Sequence, residues 1–335
     1  MLITLATAMP LAAGAQSVYP TIGKLVTVDA KFSELLAPDA KVEVIASGFV
    51  WSEGPVWVKE GGYLLFSDVP ENTIYRWTEK EGLSVFLKPS GYTGLGHYSD
   101  ERGSNGLTID PQGRLIACEH GDRRVSAMPL NRMGGKQTLA DNYQGKRFNS
   151  PNDVVALSDG SYFFTDPPYG LPEGQFDQKN REVDVYGVYR ISPPQADGSR
   201  KVTLVVSDLQ RPNGVALSPD EKTLYVAQSN EDAFLMAYDI RSDGTLGKGR
   251  IFFDGRPLLK QGLTGGFDGL KTDRSGNVWS TGPGGLVVVS PQGKLLGRIE
   301  MGVATANCAW GDDGTTLYIT ADMYVCRVRT RVKGF

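Results

Sequence analysis

Residues 211–228 read RPNGVALSPDEKTLYVAQ, and the fold can be read outward from this stretch. Arg211-Pro212-Asn213-Gly214 opens it, three apolar residues follow, Ser218-Pro219-Asp220 marks a turn, and Thr223–Gln228 alternates as a second strand would. The same order recurs along the chain. Ser52-Glu53-Gly54-Pro55 precedes VWV, Ser104-Asn105-Gly106 precedes LTI, and Ser150-Pro151-Asn152-Asp153 precedes VVAL. Phe267-Asp268-Gly269 precedes LKT, and Ala306-Asn307-Cys308 precedes AW. The acidic or amide positions are 53, 105, 152, 213, 268 and 307, so successive copies lie 39 to 61 residues apart. A propeller blade of four strands occupies about 40 to 50 residues.

The interior of each repeat agrees with that spacing. Asp110–Gly113, Ser158–Gly160, Asp273–Gly276 and Gly311–Gly314 are turn clusters, followed by RLIACE, SYFFTD, NVWSTG and TLYIT. Further strands are visible as TIYRW, VYGVYRI with VTLVV, and FLMAYD with GRIFF, and helix periodicity is not persuasive anywhere. The reading is all-β, a six-bladed β-propeller formed as a single domain over residues 16–335. The last blade is one strand short. The segment Val42–Ile45 has no blade of its own, so a strand near 42–49 is expected to complete the ring and remove an open edge.

Composition fits and narrows the function. The 335 residues hold 35 Lys and Arg against 38 Asp and Glu, a net charge of −3, which gives no electrostatic footprint for nucleic acid. Glycine, at 41 residues, exceeds the usual ~7% as a chain of many tight turns would. Two histidines and three scattered cysteines (Cys118, Cys308, Cys326) cannot supply a zinc site with three histidine ligands or a disulfide scaffold. Residues 1–15 (MLITLATAMPLAAGA) form an apolar run ending in the small-x-small pattern Ala13-Gly14-Ala15, although no Lys or Arg precedes Lys24. The expectation is a signal peptide and a periplasmic protein without a membrane anchor.

In a propeller the first strand of each blade leaves its motif and the second returns to the same face, so all six motifs meet at one mouth of the channel. Glu53, Asn105, Asn152, Asn213, Asp268 and Asn307 would then converge, and carboxylates with amide oxygens suit a hard divalent cation such as calcium. Asn307 reads as structural, because Cys308 replaces the residue that follows the other motifs. Asp68, His120, Asp166, Gln228 and Gly282 end second strands on that side. The loops 88–104, 167–184 and 255–267 are long there, as binding loops on a rigid scaffold are. His120, Arg147 and Tyr169 are candidates to hold a polar substrate, with Asn105. His97 reads as solvated, and so do Arg123 and Arg124.

The stretches SEGPVW, FLKPSG, GSNGL, GKRFNSPND, YFFTDPPYGL, RPNGVALSPDE and the terminal RVRT resemble the gluconolactonase/regucalcin-like (senescence marker protein) family, over nearly the whole chain after residue 20. The resemblance implies a six-bladed propeller that hydrolyses a sugar lactone, such as D-glucono-1,5-lactone, to the aldonic acid. It also implies a divalent cation in the central channel: calcium first, with magnesium, zinc or manganese as alternatives. By position Glu53, Asn213 and Asp268 match the family's metal ligands, and Asn152 a further Asn on the metal or the substrate; only some relatives have Asn105. Chemistry favours metal-assisted hydrolysis with Asp268 as the base, or a metal-bound hydroxide in its place. No GxSxG is present, and a Ser-His-Asp triad would rest on two poorly placed histidines. The alternatives are a calcium-dependent phosphotriesterase-like hydrolase, a metal-free synthase, a quinone-dependent sugar dehydrogenase and a non-catalytic sugar- or calcium-binding propeller.

Overall fold

The computed structural model describes residues 19–335; the expected signal peptide lies outside the described residues. The described residues form six antiparallel blades around a central channel, each an up-and-down meander with its first strand innermost. Blade 1 comprises Ser52–Val58, Tyr63–Asp68, Thr73–Thr78 and Gly82–Leu87. Blade 2 comprises Ser104–Ile109, Arg114–Glu119, Arg124–Pro129 and Gln137–Ala140, and blade 3 Val154–Ala156, Tyr162–Asp166, Gly187–Ile191 and Val202–Val206. Blade 4 comprises Pro212–Leu217, Thr223–Gln228, Phe234–Asp239 and Arg250–Asp254. Blade 5 comprises Leu270–Thr272, Val278–Gly282, Gly285–Val289 and Leu295–Glu300. Blade 6 has three consecutive strands, Asn307–Gly311, Thr316–Ala321 and Tyr324–Arg329.

The N-terminal segment supplies what blade 6 lacks. Glu43–Ser47 pairs antiparallel with Tyr324–Arg329, Glu43 opposite Arg327. A second contribution has no counterpart in the repeat pattern. Lys24–Thr27 adds a fifth strand to the outer edge of blade 5, and the short helix Ala30–Leu35, capped by Asp29, drops Phe32 into the core between blades 5 and 6.

The core is six cores. Among the described residues the buried hydrophobic side chains fall into six clusters, one between each pair of neighbouring blades: Leu65, Leu107 and Ala117 between blades 1 and 2, Ile116, Phe164 and Tyr189 between 2 and 3, and so on round the ring. The last cluster, Leu64, Phe66, Trp77, Tyr318 and Val325, joins blade 6 to blade 1, with Trp57 stacked on Tyr318 at 5.4 Å between ring centroids. The three cysteines are buried and unpaired, members of these clusters rather than a redox or metal site.

Neighbouring inner strands approach closely at the motifs, and glycine allows it. A Cβ on Gly54 would stand 1.9 Å from the carbonyl oxygen of Asn105, and one on Gly214 would stand 2.1 Å from that of Asp268. Gly106 and Gly269 meet the motif residues of blades 3 and 6 in the same way. Hydroxyls on the second strands then bridge blades: Ser67 Oγ donates to Asn105 O at 2.9 Å, Thr165 Oγ1 to Asn213 O, and Thr281 Oγ1 to Ala306 O at 3.2 Å.

Arg327 fastens the closure. Its Nε donates to Glu43 Oε2 at 2.6 Å, Nη1 donates to Glu79 of blade 1, and its guanidinium lies 4.9 Å from the Tyr19 ring centroid. N-terminal segment, last blade and first blade are thus tied through one side chain. Removing one partner of a buried pair costs about 3–5 kcal/mol, and the exposure of Glu79 moderates that. Arg327→Met is therefore expected to lower stability by about 2 kcal/mol in urea unfolding, whereas Arg250→Met, which loses only an exposed pair with Asp239, should change it by less than ~0.5 kcal/mol.

Candidate active site

The motif residues are presented by the first turn of each inner strand, held from behind by the end of the adjacent strand. Asp68 accepts the Val50 and Trp51 amides at 3.2 and 3.1 Å, Asp166 those of Asn149 and Ser150 at 2.8 Å each, and Gln228 that of Gln210 at 3.0 Å. These strand-end residues therefore shape the turns and do not reach the channel mouth. Blade 2 departs from the pattern: Glu119 occupies the equivalent place, buried among Ser126, Arg124 and Lys136, and His120 is the first residue beyond it.

Glu53, Asn105, Asn152, Asn213 and Asp268 line one cavity of about 150 Å³, together with Trp51, Glu101, Tyr169 and Ser229. The five motif side chains come from blades 1 to 5. Glu53 is 1% exposed, and its Oε2 accepts the Gly54 amide and, at 3.0 Å, the side-chain amide of Asn307. Asp268 keeps an edge open to the cavity and hydrogen-bonds to Glu53. Burial raises both carboxyls far above the ordinary range, and each is raised further by Asp153, buried beneath them. Two full charges about 4 Å apart repel by ~4 kcal/mol at an effective dielectric of 20, beyond the several kcal/mol that desolvation costs each ion. The pair is therefore stable only with a shared proton or a cation between its oxygens.

The amides complete the polar lining. Asn105 Oδ1 and Asn213 Oδ1 are buried and have no hydrogen-bond partner in the protein. An unpartnered buried acceptor costs about 1–3 kcal/mol, and here two of them belong to side chains that line the same cavity as the carboxyl pair. Asn152 is oriented by its neighbour. His120 Nδ1 lies 3.0 Å from Glu101 O, which can only accept, so the neutral imidazole carries its proton there. Its Nε2 then accepts from Asn152 Nδ2 at 3.4 Å, which turns Asn152 Oδ1 away from His120. Carboxylate and amide oxygens make an all-oxygen donor set, the chemistry of calcium rather than of a soft metal. Among the described residues no cluster of three His, Cys, Asp or Glu could hold a metal, so any cation here depends on the amides.

The other candidates are distributed unevenly. Tyr169 lines the cavity; burial pushes its phenol up to about 12, so it is a donor at neutral pH, within hydrogen-bond reach of Ser229. His120 is fully buried behind Asn152 and is not among the residues lining the cavity. Arg147 is exposed, donates from Nη2 to Asp122 O at 3.0 Å, and is not among the residues lining the cavity. Asn307 commits its amide to Glu53 and to the Cys308 amide at 2.8 Å. Arg123 corrects the sequence reading: it is buried, its Nε donating to Phe148 O and Nη1 to Glu182, and its neighbour Arg124 pairs with Glu119 at 2.7 Å. His97 is exposed beside Asp100. Trp51, Glu101 and Ser229 were not anticipated. Trp51 and Ser229 flank motif and strand end, and Glu101 is carried in by the 88–104 loop, where burial raises its carboxyl to about 7.

Burial lowers His120 from 6.5 to about 4. A base whose folded value is depressed contributes stability that is complete above 6.5 and is lost as pH falls through 4; over this interval the loss approaches ~3 kcal/mol. Urea unfolding of wild type and His120→Gln in parallel should therefore show the wild type losing up to ~3 kcal/mol relative to the variant between pH 6.5 and 4, the raised carboxyls contributing alike to both proteins. Equal slopes in the two proteins would contradict a buried neutral imidazole.

Comparison with known proteins agrees with this architecture. Residues 51–322 match the SMP-30/Gluconolactonase/LRE-like region. A gluconolactonase of Zymomonas mobilis subsp. mobilis is 41% identical over 323 residues, covering 94% of this chain and 88% of that protein. The solved structure of a gluconolactonase from Xanthomonas campestris is 31% identical with a TM-score of 0.79, covering 94% of this chain and 99% of that one. The calcium-binding protein regucalcin from Agrobacterium tumefaciens, at 19% identity and a TM-score of 0.67 over 87% of this chain and 94% of its own, shares the fold. By the span of the family match and the identity to a relative covered over most of its length, the chain belongs to the SMP-30/gluconolactonase/LRE-like family.

Proposed function

We propose that this chain is a lactone hydrolase that opens the ring ester of a sugar lactone such as D-glucono-1,5-lactone, with a divalent cation, calcium by preference, as cofactor. The observation that carries the reading is the pairing of two buried carboxyls with two unpartnered amide oxygens around one small cavity. Relatives named gluconolactonase and lactonohydrolase support the substrate class. Glu53, Asn152, Asn213 and Asp268 would hold the cation, with Asn105 as a further oxygen. Bound there, it would polarise the lactone carbonyl and stabilise the charge that develops on its oxygen.

The remaining chemistry falls to the protein's side chains. Asp268 has the edge that faces the cavity, so its carboxylate is placed to take a proton from the attacking water as the new C–O bond forms. The same carboxyl can return that proton to the ring oxygen as the ester C–O bond breaks, which leaves the aldonic acid. Tyr169 and Ser229 offer hydroxyls to the sugar, and Trp51 offers an apolar face to its C–H surface. His120 stays neutral and acts by fixing Asn152, so it is a positioning residue.

Dialysis against a strong chelator is expected to abolish turnover in a pH-stat lactone assay, and calcium to restore it. Calcium should also raise the unfolding free energy, by ~2.7 kcal/mol at a hundredfold excess over its dissociation constant. Full activity in verified metal-free protein would defeat the cofactor assignment. Asp268→Asn should retain calcium-induced stabilisation while losing about 10²-fold or more in kcat. Glu53→Gln should instead need more calcium and recover partly at saturation. Near-normal kcat in calcium-saturated Asp268→Asn would leave Asp268 as a ligand only.

A further inference from the structure

The cavity of about 150 Å³ is small against the ~300–1,000 Å³ of most ligand pockets. It is not closed at its blade 5 side. Trp51, Ser229 and Asp268 also form the near wall of a trough of about 630 Å³ that runs outward between the loop 262–266, the turn 282–285 and the loop 300–305. We propose that this trough is a second sugar subsite, and that the chain's substrates include lactones whose ring carries a glycosyl substituent, that is, disaccharide aldonolactones. The proposal rests on the lactone reading of the cavity and adds the occupant of the adjoining space.

Three observations carry it. The first is continuity: Asp268 borders both spaces, so a lactone ring over the carboxyl pair leaves its distal side facing the trough. The second is the junction, which is held open by a residue crowded only by one short, rotatable side chain. Gly266 is exposed, its φ is not in the left-handed region, and a Cβ there would meet only Ser229 side-chain and Cα atoms, at 3.1 and 3.9 Å. Gly282 and Gly285, by contrast, are fixed by the Phe267 ring and the Ile299 carbonyl, 2.6 and 2.3 Å from where a Cβ would lie. The third is the chemistry of the walls. Hydroxyls of Ser229, Thr264 and Thr305 and glycine backbone share the walls with the apolar side chains of Trp51, Leu263 and Val303, the mixture that the polar edge and C–H face of a sugar ring match. Glu300, the acid on the wall, is already neutralised by Arg298 at 2.8 Å and Lys24 at 2.9 Å. A second cation is therefore not needed there, and an alkyl chain would match the apolar side chains but desolvate those hydroxyls and amides without giving them partners. A sugar ring offers a hydroxyl to each. The reaction is unchanged: water adds across the ring ester, and the glycosidic bond is left intact.

The test uses the full chain with calcium and three probes: glucono-1,5-lactone, cellobiono-1,5-lactone and an aliphatic δ-lactone with an alkyl tail of similar length. The wild type should hydrolyse the disaccharide lactone with a kcat/KM at least one-tenth of that for the monosaccharide lactone, and above that for the alkyl lactone. Gly266→Leu, which fills the junction, and Ala304→Trp, on the exposed far wall, should each shift the disaccharide-to-monosaccharide ratio of kcat/KM at least tenfold against the disaccharide. Because the readout is a ratio within one protein, a partly misfolded preparation does not mimic it. A wild-type ratio below one-tenth, preference for the alkyl lactone, or ratios unmoved in both variants would overturn the subsite while leaving the lactone reading standing. Absence of turnover on every lactone would instead remove the lactone reading, and the subsite with it.

Discussion

The close approach of one inner strand to the next at the channel mouth is the constraint from which the rest of this molecule follows. At Gly54 and Gly214 the space for a side chain is taken by the carbonyl oxygens of Asn105 and Asp268, the motif residues of the following blades. Only a residue without Cβ permits that distance. The hydroxyls of Ser67, Thr165 and Thr281 hold the carbonyls of Asn105, Asn213 and Ala306 in place, each from the preceding blade. The ring is thus closed twice: near the axis by backbone contacts, and at the periphery by six apolar interfaces and the Arg327 clamp. A side effect of the inner closure is functional. With the backbones locked shoulder to shoulder, the residue before each glycine has no direction left except toward the axis.

That geometry makes the electrostatics costly, and the composition of the ring shows how the cost is contained. Five motif side chains share one small cavity, yet two are acids and three are amides. Five carboxylates there would repel at several kcal/mol per close pair, whereas neutral amides add oxygen donors without adding charge. The two acids that remain sit in contact and are raised together. Asp153, one layer down, adds to the negative field, while Lys271 opposes it on Glu53. An enclosed pair of this kind is eased by a shared proton or, on the proposed reading, by a divalent cation.

The fold and the ring of motif residues were legible because both are written locally. A motif, a turn and an alternating strand lie within about twenty residues, and recurrence at blade spacing fixes the architecture. What was not legible depends on contacts between distant segments. Nothing in KLVT says that Lys24–Thr27 will lengthen blade 5, since its partner, Gly297–Glu300, lies at the far end of the chain. Glu101 enters the cavity because a long loop folds back over the mouth, and no periodicity encodes that path. Arg147 is near the mouth in sequence but points to Asp122, and Arg123 is buried because the loop carrying Phe148 and Glu182 covers it. His120 lies one residue past the strand end expected of it; its burial was not readable, because it is created by the 88–104 loop and by Gly170, whose missing side chain makes room for the imidazole.

Asn307 shows why position in a repeat does not by itself assign a role. It is the sixth motif residue, of the same type as Asn105 and Asn213 and at the same turn. The difference is where the amide oxygen goes. In Asn105 and Asn213 that oxygen is buried without a partner, and so is available to a ligand. In Asn307 it accepts the amide of Cys308, while the nitrogen donates to Glu53. A group that donates toward the site cannot also ligate a cation there, so Asn307 acts on the acid instead, holding its carboxyl oxygen together with the Gly54 amide. The motif's five other side chains make the site, and the sixth holds one of them still.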